Sequence, residues 1–386
     1  MLPFLPKIDT MRFIAQRQDL LQLLKRLQTV VGQKAALPIL SNILLEAKGN
    51  TLTITGTDLV IGMKTFAEAK VQEDGATTLP ARKLTQLMNE LTCHAVELWV
   101  GKDGNIEINA NSSRFKIHAL PPAEYPPFPD LQGARKMTLD AKVFRDSLYK
   151  TAFAVSKEDS RYALTGVLMQ IEDNLVTFVG TDGKRLSKAH IPPSTSDFKG
   201  SAILPIRAVD ELLRNLEGED KMVLHHQNDR IAVETSSFLF VTKLLPGEFP
   251  DFMRVIPHNP QEMLTIHREE LTSLLRQISL FTADASQSVK FSFCPEELRL
   301  SANAADVGEG KVSMPLQYSG DKIDIAFNPG YFLDILRHCK GETVTLGITD
   351  SYNPGLLIDQ APESYDSKTT PLFMLMPMRL EETRTE

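Results

Sequence analysis

One sequence pattern occurs twice in this chain, and a weakened copy of it occurs a third time. The first copy is Leu52–Asp58, the second is Val176–Asp182, which begins 124 residues later, and the third is Leu298–Asn303, which begins 122 residues after the second. Another marker, Leu79–Arg82, recurs as Leu204–Arg207. A repeat of this length predicts three consecutive domains of one fold. Such domains form an arc, and an arc with complementary ends can close on a second copy of itself.

The composition is that of an ordinary globular protein. Of 386 residues, 42% are apolar and 24% are charged, and the formal net charge is −7. No apolar run reaches the roughly 18 residues that a membrane helix needs, and residues 1–10 lack the features of a secretory signal. We therefore expect a cytoplasmic protein without a membrane segment. Cys93, Cys294 and Cys339 are odd in number and far apart, so we expect buried free thiols rather than disulfides or a zinc site.

Each repeat has the same predicted order of helices and strands. It opens with a short strand and a helix, continues with alternating strands, and forms a second helix just after Pro80, Pro205 or Asn328. Asp19 is the expected cap of the first helix. We predict an α+β fold, in which each domain packs two helices on one side of antiparallel strands. The apolar residues at helical spacing are Leu20, Leu24, Leu27 and Val31, then Phe144, Leu148, Thr151 and Val155, then Leu271, Leu275, Ile278 and Thr282.

Two Pro-rich stretches mark the predicted boundaries between domains. Leu120–Asp130 holds five prolines and Leu245–Pro260 holds four, so neither can continue a helix or a strand. We place the three domains at residues 11–131, 132–260 and 261–380. Residues 1–10 and 381–386 are expected to be flexible ends.

Basic residues lie in or beside all six predicted helices, whereas carboxylates crowd the loops. On any single helix a solvated surface is the simpler interpretation. Six such helices facing one way would form a positive lining that neutralises phosphates without reading bases. Because no motif for base readout or for stacking single strands is found, the expected ligand is duplex DNA. The residues are Lys25, Arg26, Arg82, Lys83, Arg145, Lys150, Arg207, Arg214, Arg268, Arg276, Arg337 and Lys340.

Enzyme signatures are not found in the sequence, and no metal or cofactor is expected. Asp58 and Asp182 invite a catalytic interpretation because they repeat. A Gly-Thr-Asp sequence between strands also predicts a turn in which the Asp side chain binds backbone N–H groups, and we prefer this interpretation. His225 and His226 are adjacent, so in a strand they point to opposite faces and cannot share a metal.

The segment Leu372–Leu380 is rich in methionine. Leu372–Met376 is predicted to be a core strand, and Pro377 ends the pairing of that strand. Met376, Met378 and Leu380 would then offer a soft apolar surface, which suits a groove that accepts several partners.

Taken together, these motifs resemble the family of bacterial DNA polymerase sliding clamps, the beta subunits of the replicative polymerase, over Met11 to Leu380. The markers that carry the resemblance are Arg12-Phe13, Leu37–Leu40, Gly56–Leu59, Leu79–Lys83, Arg161-Tyr162 with Gly166, Thr181–Leu186, Gly247–Asp251, Phe327-Asn328 with Tyr331, Thr349–Ser351 and Met376–Leu380. The resemblance implies that two crescent-shaped subunits pair head to tail into a homodimeric ring of six similar domains. Duplex DNA threads the ring unmodified, a loader that uses ATP opens the ring, and the clamp itself catalyses nothing.

The resemblance also implies partners and site residues. The DNA polymerase III catalytic subunit, other polymerases and repair proteins would dock a short peptide rich in Gln, Leu and Phe between the second and third domains. Arg161 and Arg185 would offer charge to that peptide. The groove would comprise Arg161, Leu164, Thr181, Gly183, Arg185, Leu186, Pro250, Arg254, Val255, Asn328, Tyr331, Ser351, Met376, Pro377, Met378 and Arg379. The DNA-facing residues would be Lys34, Arg82, Lys83, Tyr162 and Arg207, and Leu280 and Phe281 of one subunit would pack on Phe115 and Ile117 of the partner subunit.

The chain departs from the family pattern at a few positions. Ala163 stands where some members have a second aromatic residue, Lys184 stands where others have His, and residues 381–386 continue past the usual end as an acidic tail that could tune partner binding. The sequence thus predicts a homodimeric processivity factor. Two other classes stay open: a cytosolic hydrolase that uses Asp58, Asp182 or the His pair, and a repeat scaffold that binds only proteins.

Overall fold

The computed structural model of the chain describes residues 11–32, 37–172, 175–191, 199–283, 287–359 and 365–379. These residues form six α-helices and 25 β-strands, joined by turns and short 3-10 helices. Within these ranges no helix has the length and apolar character needed to span a membrane. Among the predicted features, Lys34, Leu380, residues 1–10 and residues 381–386 lie outside the described residues.

Each repeat runs through a strand, a helix, further strands, a second helix and final strands, as predicted. The first repeat contains β1 (Arg12–Gln16), α1 (Arg17–Leu27), β2 (Asn42–Lys48), β3 (Thr51–Thr57), β4 (Ile61–Glu68), β5 (Lys70–Glu73), β6 (Gly75–Pro80), α2 (Ala81–Glu90), β7 (Ala95–Val100), β8 (Ile106–Ala110) and β9 (Ser113–Ile117). The second contains β10 (Arg135–Asp140), α3 (Ala141–Ala152), β11 (Gly166–Glu172), β12 (Leu175–Thr181), β13 (Arg185–Ile191), β14 (Gly200–Pro205), α4 (Ile206–Asn215), β15 (Lys221–His226), β16 (Arg230–Glu234) and β17 (Phe238–Lys243). The third contains β18 (Glu262–His267), α5 (Arg268–Ser279), β19 (Val289–Cys294), β20 (Glu297–Ala304), β21 (Gly308–Pro315), β22 (Ile323–Phe327), α6 (Pro329–His338), β23 (Thr343–Ile348), β24 (Gly355–Ile358) and β25 (Leu372–Leu375).

The chain separates into two compact units, the first of Met1–Lys142 with Asp210–Leu244 and the second of Val143–Val209 with Leu245–Glu386. The first unit holds sheets with strand orders β5-β1-β7-β8-β9 and β10-β15-β16-β17-β4-β3-β2-β6. The second holds β14-β11-β12-β13-β25-β24-β23-β18 and β21-β20-β19-β22. The strand pairs are antiparallel, which confirms the predicted α+β class.

Both eight-stranded sheets join strands of successive repeats. In the first unit β4 pairs with β17, and in the second unit β13 pairs with β25. Two limits of the compact units fall inside α3 and α4 and the third follows β17, so the second repeat contributes to both units. Domain boundaries at residues 131 and 260 therefore stay a prediction from the sequence.

The first helix of each repeat begins directly at the end of a strand. The expectation that Asp19 caps α1 is wrong, because the helix begins at Arg17 and Asp19 lies in its first turn. The Arg17 N–H donates instead to the His94 carbonyl at 2.9 Å. The equivalent N–H groups of Ala141 and Arg268 also donate to distant carbonyls, at 3.0 and 2.9 Å. In α1 a tertiary backbone contact is thus present and a side-chain cap is not. In α5 the His267 side chain also accepts the Glu270 N–H, at 3.4 Å.

The second helices begin where the sequence predicts. α2, α4 and α6 follow Pro80, Pro205 and Asn328 immediately. The Asn328 side chain accepts the N–H groups of Gly330 and Tyr331, and Pro329 occupies the first helical position, where its missing N–H costs nothing.

The third repeat shows how the helices build a core in the second unit. Leu271 and Leu275 of α5 and Phe332 of α6 are buried in one cluster with Phe291 of β19. The rings of Phe291 and Phe332 stack with centroids 5.2 Å apart. The apolar residues at helical spacing therefore lie on the face of each helix that packs on the strands, as predicted.

The three cysteines are free thiols, as predicted. Cys93 and Cys339 are buried as predicted, whereas the prediction of burial is wrong for Cys294, which is partly exposed at the end of β19. Burial raises the pKa of the Cys339 thiol to about 12, so this thiol stays protonated and unreactive at neutral pH.

Candidate functional site

The Gly-Thr-Asp motif of the second repeat forms a tight turn between β12 and β13. The Asp182 carboxylate accepts the N–H groups of Lys184 at 2.9 Å and Arg185 at 3.0 Å. The Thr181 hydroxyl donates to the Arg185 carbonyl at 2.6 Å and accepts the Gly183 N–H at 3.1 Å. Gly183 has φ +85°, a conformation that favours glycine. The turn role predicted for Asp182 is thus confirmed.

Arg185 is the first residue of β13, and only 6% of it is exposed. Its guanidinium donates to Asp334 of α6 at 2.7 Å, to Asp182 at 3.2 Å and to the Phe153 carbonyl at 2.9 Å. The expectation that Arg185 offers its charge to a ligand is therefore wrong, because three partners within the protein already use that charge. Arg185 instead ties β13 to α6 and to the end of α3.

Aromatic rings pack on the Arg185 guanidinium and on one another. Its central carbon lies 4.6 Å from the centre of the Tyr331 ring and 5.2 Å from that of Phe153. Phe153 stacks on His338 with centroids 4.0 Å apart, and Tyr149 packs on the same imidazole at 4.6 Å. Burial lowers the pKa of His338, so the stacked ring is neutral at neutral pH. These contacts make a rigid support beneath the turn.

Arg161 lies above the same turn and is exposed. Its Nη1 donates to the Asp182 carbonyl at 3.3 Å. A Cβ added to Gly183 would collide with Nη1, so glycine leaves the space that Arg161 occupies. Arg161 itself interrupts the 3-10 helix Asp159–Thr165 with φ −119° and ψ 62°, and exposed Tyr162 follows it. Of the two arginines predicted to offer charge, Arg161 is the one placed to do so.

The predicted C-terminal core strand is confirmed as β25, which ends at Leu375. Beyond it the Met376 N–H donates to the Lys184 carbonyl at 2.9 Å, and the Met378 N–H donates to the Ala326 carbonyl at 2.7 Å. Met376 is 37% exposed and Met378 is half-buried. The backbone of the Thr181–Arg185 turn and of β22 thus holds the methionines in place.

The other predicted groove residues lie in or near an apolar cluster. Leu186 is buried in a cluster on which Phe252 and Met253 pack, and these two belong to the 3-10 helix Phe252–Val255. Ser351 lies in the turn before β24, whose first residue, Gly355, pairs with Leu375. By exposure, Arg161, Gly183, Pro250, Arg254, Val255, Met376 and Arg379 are exposed, Thr181, Asn328, Tyr331, Ser351, Pro377 and Met378 are half-buried, and Leu164, Arg185 and Leu186 are buried.

Several basic residues of the helices are engaged in ion pairs. Arg26 lies 3.6 Å from Glu219, Arg214 lies 2.6 Å from Glu211, and Lys340 lies 2.7 Å from Asp146. Among the DNA-facing predictions, Arg82 and Lys83 of α2, Arg207 of α4 and Tyr162 are exposed, and Lys34 lies outside the described residues.

The residues predicted at the subunit interface lie beside the edges of two sheets. Phe115 and Ile117 are half-buried on β9, the edge strand of the five-stranded sheet. Leu280 is 72% exposed at the end of α5, and Phe281 packs on Gly310 of the edge strand β21.

The residues of the hydrolase alternative have structural roles. The Asp58 carboxylate accepts the N–H groups of Val60 at 2.9 Å and Ile61 at 2.7 Å, as Asp182 does in its own turn. His225 is buried and its Nε2 lies 2.7 Å from Glu234, whereas the neighbouring His226 is half-buried. Neither aspartate therefore stands free for catalysis.

Sequence reasoning missed two residues that position the groove. Asp334 and Phe153 hold Arg185, but they lie 149 and 32 residues from it in the chain. The Asp182–Arg185 pair, three residues apart, was the one local signal of this network.

Known protein families match this chain as three successive domains. Residues 11–129, 138–251 and 253–378 match the N-terminal, central and C-terminal domains of the DNA polymerase III beta subunit family. The chain is 44% identical to the beta sliding clamp of Chlamydia muridarum over 96% of this chain and 100% of the relative. It is 32% identical to that of Escherichia coli K12 with the same coverage. Among solved structures, the DNA polymerase III subunit beta of Pseudomonas aeruginosa superposes with a TM-score of 0.90 at 27% identity, over 96% of this chain and 100% of that one.

Proposed function

The chain belongs to the family of DNA polymerase III beta subunits, the beta sliding clamps, and we propose that it encircles duplex DNA and tethers a DNA polymerase to it. The observation that carries the proposal is the match of all three successive family domains from residue 11 to residue 378. Three tandem clamp domains account for the repeat that dominates the sequence. The rival interpretations, a hydrolase and a scaffold that binds only proteins, explain single residues at most.

The proposed mechanism is topological. A closed ring cannot leave duplex DNA sideways, so weak contacts to phosphates suffice and sliding stays fast. A polymerase held to the ring rebinds its primer end before it diffuses away, because tethering raises its effective concentration. The clamp is proposed to act without catalysis and without a cofactor, in the cytoplasm, where bacterial DNA lies. A separate loader would use ATP to open the ring.

The proposed ring is a head-to-tail homodimer of three-domain subunits, with domains at 11–131, 132–260 and 261–380. Its support is that β9 and β21, which lie beside the predicted interface residues, are both edge strands of their sheets, and an unpaired edge strand is a template for pairing with another chain. Leu280 and Phe281 would bury their apolar surface against Phe115 and Ile117 of the partner subunit. Arg82, Lys83, Tyr162 and Arg207 are proposed to face the DNA.

The proposed docking groove for polymerases and repair proteins lies around the Thr181–Arg185 turn. Met376, Met378 and Val255 supply adaptable apolar surface, and Arg161 supplies a charge that is not enclosed. The network of Arg185, Asp334 and Phe153 holds this surface rigid, which lowers the entropy cost of binding. A peptide that buries one Leu and one Phe gains roughly 1.5–3 kcal/mol from each, which suggests micromolar affinity after ordering costs.

The test of the ring is retention on circular DNA. The full chain is loaded onto nicked circular duplex with a bacterial loader and ATP, and free protein is removed by gel filtration. We expect the clamp to elute with the circle and to be lost once a restriction enzyme cuts the DNA once. Equal retention on the cut DNA would contradict the topological mechanism.

An interface variant separates ring closure from folding. Leu280→Ala with Phe281→Ala is expected to give folded monomers by light scattering, which are not retained on the circle, because paired apolar anchors carry much of an interface. Met263→Ala, an exposed residue of β18 in the same unit, is the matched control and should remain dimeric. A double variant that stays dimeric would reject the proposed interface.

A further inference from the structure

The junction of β4 and β17 in the first unit has the same backbone as the proposed groove in the second. Ile61 lies opposite Thr242, and the Lys243 N–H donates to the Val60 carbonyl at 3.0 Å. In the second unit Arg185 lies opposite Leu375, and the Met376 N–H donates to the Lys184 carbonyl at 2.9 Å. Lys243 therefore stands where the groove has Met376.

The turn of the first unit also repeats the hydrogen bonds of the second. The Thr57 hydroxyl donates to the Ile61 carbonyl at 2.8 Å and accepts the Leu59 N–H at 3.0 Å. Leu59 takes the place of Gly183, and it does so at φ +76°, where a side chain strains the backbone and glycine does not.

The strained residue presents apolar surface to solvent. Leu59 is 47% exposed and Val60 is 48% exposed. Glycine would relax the same turn, so the leucine side chain is kept at a cost to folding although about half of it is exposed. Backbone strain of this kind gathers at sites that bind ligands, and neighbouring exposed apolar residues mark contact surfaces.

A small cavity of about 30 Å³ opens between this turn and β17. Leu59, Val60 and Gly62 line it on one side, and Val241 and Thr242 line it on the other. Its lining is largely aliphatic and suits the methyl groups of an aliphatic side chain.

Two cationic side chains line the cavity. Arg230 and Lys243 are among its lining residues, and the described lining residues include no carboxylate. Arg230 donates two hydrogen bonds to Asp229, at 3.0 and 2.9 Å. These bonds, and then the charge of Lys243, lower the pKa of Asp229, so the exposed Lys243 side chain also lies near that carboxylate. The nearby Asp58 carboxylate is occupied by backbone N–H groups of its own turn. A ligand that carries a carboxylate beside an aliphatic group would complement this surface.

We propose that the junction of β4 and β17 is a second docking site, which binds a short acidic segment of a partner protein. An aliphatic side chain of that segment enters the cavity beside Leu59 and Val60, and a neighbouring carboxylate binds Lys243. One small anchor and one solvent-exposed ion pair give a dissociation constant on the order of a millimolar. The site lies outside the proposed groove and does not depend on it.

The experiment is methyl NMR on the full chain with labelled Leu and Val side chains. The probe is the peptide acetyl-Gly-Leu-Asp-Asp-amide, and its charge-reversed form, acetyl-Gly-Leu-Lys-Lys-amide, is the comparison. We expect the methyl signals of Leu59 and Val60 to shift with half-saturation near a millimolar, and the Lys-Lys peptide to bind at least fivefold more weakly. No shift at these methyls, or equal shifts with both peptides, would overturn the proposal.

Two variants locate the contact. Lys243→Glu should weaken binding at least fivefold, whereas Lys70→Glu, an equal charge change at an exposed residue of the same unit, should leave it unchanged. Leu59→Gly should keep the fold and lose binding, because φ +76° suits glycine. Equal behaviour of the two lysine variants would overturn the proposal.

Two further outcomes are distinguished by design. Shifts of the Leu59 and Val60 methyls that follow protein concentration without peptide would show that a second copy of the chain occupies the surface, and would overturn the proposal. Met376→Ala with Met378→Ala should leave this titration unchanged. A loss of the titration in that variant would mean that the probe binds the proposed groove instead, and would also overturn it.

Discussion

The β4–β17 junction of the first unit and the β13–β25 junction of the second share one backbone and differ in what the side chains do. Ile61 and Arg185 are equivalent in the repeat, and both are buried. Ile61 fills apolar space, whereas Arg185 binds two carboxylates and a carbonyl. The comparison shows that the Thr and Asp side chains form the turn in both units. The residue at the end of the turn, Ile61 or Arg185, decides whether the junction is apolar or holds a polar network.

A second equivalent pair lies three residues further along each strand. Lys64 on β4 places its Nζ 4.7 Å from the centre of the Phe128 ring. Lys188 on β13 is 2% exposed and donates to the carbonyls of Ser367 and Lys368, the latter at 3.1 Å. The same residue type is thus a half-exposed cation in one junction and an enclosed anchor of the loop before β25 in the other.

The largest expected effect comes from breaking the Arg185 network. Arg185→Met leaves Asp182 and Asp334 without their buried cation, and we expect the free energy of opening β13 to fall by about 3 kcal/mol. Hydrogen exchange of the β13 and β25 amides measures the free energy of opening in this region alone. A single unfolding free energy for the whole chain is not well defined, because the protein has several domains. Ile61→Met, the matched change in the first unit, should cost less than about 1.5 kcal/mol. Equal losses in the two variants would show that the junctions do not differ in this way.

The next largest effect is on binding of a Gln-Leu-Phe peptide, which is expected at the β13–β25 junction and not at the β4–β17 junction. A peptide of the Gln-Leu-Phe type, titrated by calorimetry, should bind the full chain with micromolar affinity and lose at least tenfold with Met376→Ala and Met378→Ala, because the apolar anchors lose their contacts. Truncation after Leu380 should match or modestly exceed the intact affinity, since it removes negative charge near Arg379.

The matched variant for this titration changes the other junction. Leu59→Gly with Lys243→Ala should leave the affinity for the Gln-Leu-Phe peptide unchanged. Normal binding by the methionine double variant would mean that the groove is placed wrongly. Loss of binding on truncation would mean that the tail belongs to the site.

The smallest effect is a dependence of stability on pH. Burial lowers the pKa of Lys188 from 10.5 to about 8, and Asp366 opposes this shift in part. Between these two pH values the unfolded chain binds more protons than the folded chain, so the free energy of unfolding rises with pH there. Between pH 8 and pH 9 we expect a gain of about 1 kcal/mol relative to Lys188→Met.

Urea unfolding at a series of pH values measures the gain, and Lys64→Met is the control from the other junction. If wild type and Lys188→Met respond to pH identically, the enclosed lysine does not titrate in this window.

The sequence by itself determined the repeat, the order of the elements and the chemistry of the turns. Apolar spacing places Leu20, Phe144 and Leu271 in the core because helix periodicity is a local property. The Asp58 and Asp182 turns follow for the same reason, since each carboxylate binds N–H groups two and three residues away. Most residues of the proposed groove follow from the family resemblance and not from any local sequence pattern.

Only the tertiary structure decided what the charged residues do. Asp19 does not cap α1 because the helix already begins at Arg17, whose N–H donates to the distant His94 carbonyl. Arg185 does not offer its charge because Asp334, 149 residues away, approaches it through the pairing of β13 with β25 and the packing of α6. The roles of exposed Leu59 and buried Lys188 also depend on tertiary structure, since their equivalents in the other repeat, Gly183 and Lys64, have different surroundings. Burial and long-range pairing set these roles, and neither is encoded in the spacing of nearby residues.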